Sequence, residues 1–161
     1  MPSRERGLTL VEILVVVMAL LIVAVLVLPA IAQGSRRDKV ARCIGNLQTL
    51  HRAQASAEPP GARLGFEYWL RLRNATPPLI GPEALRCPLL DRPDAPECHY
   101  MGPRGDPAAL KGVDPIGCDL EVSHSPNMKQ GGNVLLKSGE VVTDKGDGGL
   151  WQDARTKYCR P

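Results

Sequence analysis

The sequence predicts an α+β protein in which one long N-terminal helix, membrane-spanning in its first half, packs on a small antiparallel β-sheet head. Three observations lead there. Residues Ile13 to Ala32 carry no charge, and Ile13 to Leu28 are apolar without a break. A proline-free stretch follows directly and is apolar on one face only. The remainder is polar and turn-rich and holds most of the chain's 16 glycines and 15 prolines. Aromatic residues are only 4% of the 161, and about 100 residues of such composition form a small core. That composition argues against a large enzyme with a deep cleft. A net charge of +3 is too weak to make nucleic acid the main partner.

A transmembrane helix needs about 20 apolar residues to cross about 30 Å of hydrocarbon. Leu8 to Leu28 meets that length, whereas the apolar stretch of a secretory signal peptide is about 7–15 residues. We assign residues 8–32 to the span. Glu12 stands five residues into it, where an unpaired carboxylate deep in a span costs roughly 2.5–3.5 kcal/mol. Two readings follow: Glu12 snorkels to the headgroups, or it has a dedicated cationic partner. Arg36, Arg37, Lys39 and Arg42 come next and read as a solvated face near the headgroups. Arg4 and Arg6 lie on the other side of the span, so charge alone does not settle topology.

Residues 33–58 continue the helix. Val40, Ile44, Leu47 and His51 recur at i, i+4, i+7 and i+11, with Cys43 and Leu50 flanking the stripe, which marks an amphipathic helix. Pro59-Pro60-Gly61 ends it, and interruptions are expected near Pro29 and Gly34.

The head is assigned to residues 59–161. Phe66 to Leu72 fits neither the helical nor the strand period. Leu85 to Cys87 reads as extended because Pro88 follows. Gly132 to Thr143 reads as a hairpin, two β-prone runs around Lys137-Ser138-Gly139-Glu140 with Gly139 at positive φ. Five cysteines in an exported chain suggest two disulfides and one thiol left over, with connectivity open. Cys43 could staple to Cys87, and Cys98 would then stay free. No Cys-x2-Cys spacing supports zinc. No phosphate loop, nucleophile elbow or paired catalytic carboxylates are present, so the chain does not read as an enzyme.

Arg4-Glu5-Arg6-Gly7-Leu8-Thr9-Leu10-Val11-Glu12 resembles the N-terminal segment of type IV pilins and type II secretion pseudopilins. The resemblance implies a leader of residues 1–7, cleavage between Gly7 and Leu8 by a prepilin peptidase, and N-methylation of Leu8. It implies that Glu12 of one subunit neutralises the new α-amine of a neighbour, so that each buried charge is paired. Pro29 falls where helices of this family commonly kink or melt. Leu8 departs from the usual Phe.

The hairpin is loosely similar to the NVLFADGHV-type hairpin of a pseudopilin-like family. Here Ser138-Gly139 replaces Asp-Gly, and Met128 stands where that family has His. By the same resemblance, Cys118 and Cys159 could tie down the C-terminus, as a late disulfide does in many pilins. Asp144 and Asp147, on a glycine-rich loop, could hold calcium as major pseudopilins often do, although a plain turn is the stronger reading. No other cofactor is implied.

The implied fold is pilin-like. The implied function is a structural subunit, a minor pilin or pseudopilin of a type II secretion pseudopilus or type IV pilus, that polymerises through its helix. Its partners would be prepilin peptidase, other pilin or pseudopilin subunits and an inner-membrane assembly platform. It would sit in a bacterial inner membrane with a cytoplasmic N-terminus and a periplasmic head before joining the filament. The alternative is a single-span anchored periplasmic binding module that never polymerises, needs no cleavage at Gly7 and tolerates Glu12→Ala.

Overall fold

The computed structural model describes residues 10–57, 63–90, 94–121, 131–144 and 149–161, the side chains of 29–33 excepted. Gly7, Leu8, Asp147 and the Pro59-Pro60-Gly61 stop lie outside the described residues. Helix α1 runs Leu10–Ala55. The interruptions expected near Pro29 and Gly34 are absent, since the helix is a single run through both. Proline at 29 removes only its own bond to the carbonyl four residues back, and the bonds on either side carry the helix. The chain divides into two compact units, Met1–Asp38 and Lys39–Pro161.

Within the second unit, α1 buries Cys43, Leu47 and Leu50 completely. Val40, Ile44 and His51 are only half-buried. The stripe is therefore centred on the two residues expected to flank it. Cys43 sets that centre, because its disulfide to Cys87 joins Cα atoms 5.3 Å apart and turns this face inward. Each fully buried Leu contributes about 1.5–3 kcal/mol.

Phe66 to Leu72, ambiguous by period, lies in helix α2 (Phe66–Arg73). Tyr68, Trp69 and Leu72 face the core, a spacing that one helical turn satisfies and a strand does not. Leu85 closes a 3₁₀ turn (Pro82–Leu85), so the extended stretch begins only at Arg86, φ −107° and ψ 127°. Pro88 restricts its immediate neighbour and not the residues further back.

Five antiparallel strands form one sheet: β1 (Tyr100–Pro103), β2 (Pro115–Asp119), β3 (Asn133–Leu136), β4 (Val141–Thr143) and β5 (Cys159–Arg160), in the order β4-β3-β2-β1-β5. The expected hairpin is β3–β4, with Val134 opposite Val142 and Leu135 opposite Val141. Gly139 turns it at φ +92°, a conformation that favours glycine.

Side chains alternate across β1 and β3, and a register shift between Pro115 and Gly117 lets Ile116 and Cys118 of β2 enter different cores. Tyr100, Ile116 and Leu135 join the core shared with α1 and α2. Met101, Cys118, Val134 and Leu136 join a second core with Trp151 and Ala154, which belong to helix α3 (Gly149–Asp153) and the π-helical turn Ala154–Tyr158. One buried tryptophan anchors each face. Trp69 Nε1 donates to Met101 O at 3.1 Å, and Trp151 Nε1 donates to Asp119 O at 3.1 Å. Each burial thereby satisfies its only donor.

Candidate functional site

Leu10–Leu28 of α1 has a mean hydropathy of 3.3, and none of it is buried within the protein. Its 19 residues extend about 28 Å at about 1.5 Å per residue, close to the thickness of a hydrocarbon core. The apolar side chains point in every direction around the helix: Leu20 is 64% exposed and Leu26 68%. Such a surface belongs in lipid or among other apolar helices. Glu12 lies on the first described turn of α1 and is exposed. Pro29 is helical in backbone.

Of the predicted cysteine links, Cys43–Cys87 is formed. The second expected link is not a bond here, because Cys118 and Cys159 are both buried thiols. They are nevertheless adjacent. Their side chains meet in a hydrogen bond, although Cys118 of β2 and Cys159 of β5 lie on strands that flank β1 on either side. The hydrogen bond that the Cys118 thiol donates to Cys159, and then burial, push it well above its ordinary value. Cys98 is a buried free thiol, as Cys118 and Cys159 also are, and donates to Tyr100 O at 3.2 Å. Burial pushes its thiol up to about 12, so it is a poor nucleophile.

Asp144 is buried, and one of its carboxylate oxygens accepts from Trp151 N–H at 3.1 Å. It thus ties β4 to the start of α3. Among the described residues, no three metal-ligating side chains gather.

Asp119, which the sequence did not single out as a site, is completely buried beside this region. It accepts from Asn133 N–H at 2.6 Å. Burial raises its carboxyl to about 7, while the hydrogen bonds from Asn133 pull the other way. It is the last residue of β2, a run whose proline, glycine and cysteine carry no strand signal, so the sequence offered nothing that marks it.

The second unit also carries a groove of about 1060 Å³ between the α1 face around Gly45 and the 83–99 segment. Cys87 lines it. Asn46 holds the two walls together, its Nδ2 donating to Arg86 O at 2.8 Å and to Glu83 O at 3.3 Å. His99 Nδ1 accepts from Cys87 N–H at 2.9 Å, which fixes the far wall. Arg42, Arg52 and Arg86 stand around this groove, exposed, with Glu83 the one described carboxylate among them.

Comparison with known proteins assigns the N-terminus. Residues 2–28 match the prokaryotic N-terminal methylation motif. The chain therefore begins with a type IV pilin-like prepilin segment, and its long apolar helix and small antiparallel sheet form an α+β protein of pilin-like layout. No curated protein and no solved structure matches the chain.

Proposed function

We propose that the protein is a structural subunit, a minor pilin or pseudopilin, of a type II secretion pseudopilus or a type IV pilus. The observation that carries this reading is the methylation motif over residues 2–28 running into a span-length helix with no apolar face buried inside the protein. Prepilin peptidase cuts between Gly7 and Leu8, where glycine lets the backbone lie extended without a side chain in the way. The new α-amine of Leu8 is methylated. Glu12 of one subunit then meets the amine of another, and pairing removes the penalty of two isolated charges at membrane depth. Since lipid is as apolar as the span, packing and this charge pair supply the specificity of helix association. Extraction from the inner membrane, with the head in the periplasm, draws on local loss of helix at Pro29, where one backbone bond is already missing. Cys118 and Cys159 form a second disulfide in the exported protein. The bond forms by exchange with a protein disulfide, which accepts the two electrons and the two thiol protons and leaves as a dithiol.

The test is the intact mass and N-terminal peptide of the protein extracted from its native envelope. A chain starting at N-methyl-Leu8 is expected. A Met1 or Pro2 start in cells with active prepilin peptidase overturns the filament reading and leaves the anchored, non-polymerising module. In the same sample, unfolded in denaturant, alkylation without reductant is expected to label one cysteine, Cys98. Labelling of Cys118 and Cys159 as well rejects the second disulfide.

A further inference from the structure

We propose that the groove along α1 is a docking site for an extended, carboxylate-bearing peptide segment of a partner protein. Arg42, Arg52 and Arg86 form no ion pair among the described residues, and Glu83 is the only described carboxylate lining the groove. Three exposed guanidiniums therefore outnumber the described carboxylates on one concave surface, with Glu97 near enough to Arg86 to feel its charge. Guanidinium matches carboxylate geometry with two parallel hydrogen bonds.

Gly45 is a second, independent observation. It lies inside α1 between Arg42 and Arg52, and a Cβ there would meet nothing within 4 Å. Helix-interior glycine weakens a helix relative to alanine, and no contact within this protein requires it. A bare backbone at that point leaves room for another chain to lie close against the helix.

The lining also fits a peptide better than a nucleic acid or polysaccharide. Pro88, Leu90 and Pro96 give it apolar ground between the cations, while no described aromatic lines it as a stacking platform. Arg42 and Arg52 are ten residues apart on the helix, or about 15 Å. An extended segment covers that distance in about five residues, which sets the spacing of its two carboxylates.

The test uses the full chain in nonionic detergent micelles and a fluorescein-labelled Glu-Ala-Val-Ala-Glu peptide, read by anisotropy. Saturable binding is expected, at least about 10-fold weaker for the Gln-Ala-Val-Ala-Gln peptide. Arg42→Ala, Arg52→Ala and Arg86→Ala are each expected to weaken it about 2- to 5-fold, the range of exposed ion pairs. Gly45→Leu is expected to abolish it without lowering the temperature of thermal unfolding. Equal binding of the Glu and Gln peptides, or undiminished affinity in the triple arginine variant, overturns the proposal. So does binding of heparin or an oligonucleotide without binding of the peptide. None of these outcomes depends on cleavage at Gly7.

Discussion

Two stretches of one helix meet opposite surroundings in this protein. From Leu10 to Leu28 the apolar residues surround the helix, and the protein covers none of them. Around Cys43, Leu47 and Leu50 they form a stripe, and all three are completely buried. Backbone geometry is the same in both, so the distribution of side chains decides which medium each stretch requires. An all-round apolar helix needs a surrounding medium that is itself apolar, whereas a stripe needs one packed partner and leaves its other face to water.

That contrast can be broken by substitution. The largest effect is expected at the covalent staple. Cys43→Ala opens a link of sequence separation 44, and the loop-entropy relation puts the loss at about 4 kcal/mol. Denaturant unfolding of the head measures it, with unchanged stability under non-reducing conditions as the contrary result. Next is a matched pair on the helix. Leu47→Ala is expected to cost about 2–5 kcal/mol of head stability, as core leucine truncations do, while Leu20→Ala, on the uncovered stretch, leaves head unfolding unchanged. Equal effects would mean that the two stretches do not differ as described.

A pH profile sharpens the comparison further, because Asp119 is a buried ionisable group inside the head. Burial raises its carboxyl from 3.8 to about 7. The folded state therefore binds the proton more tightly than the unfolded state, and the resulting stability is complete below about pH 4. It is lost as pH rises through about 7. The melting temperature should fall across that window, and Asp119→Asn should flatten this component of the profile. A profile that Asp119→Asn leaves unaltered would assign the dependence to another group.

The smallest effect is expected at Gly45. Gly45→Ala should stabilise the head by about 0.5–1 kcal/mol, since the added Cβ has open space. A loss of stability instead would mean that glycine is required by the fold itself.

The features legible in the sequence were those written in local pattern. The uncharged span, the helix after it, and the β3–β4 hairpin with Gly139 at positive φ each need only neighbouring residues to be read. Strands β1, β2 and β5 were not legible, because their short runs contain proline, glycine and cysteine and become strands through pairing with one another. Phe66 to Leu72 was ambiguous until a core was present to receive Tyr68, Trp69 and Leu72 together. The groove was not legible either, since Arg86 joins Arg42 and Arg52 only when the 83–99 segment folds back against α1.

The sequence by itself determined the span and the amphipathic continuation, because each follows from residue order, charge and helical period, and the prepilin-type N-terminus through its resemblance to a known segment. Tertiary structure decided which face of that continuation is central, which cysteines meet, and that Asp119 is enclosed. These depend on contacts between residues far apart in the chain, where packing and burial select among local patterns of nearly equal merit.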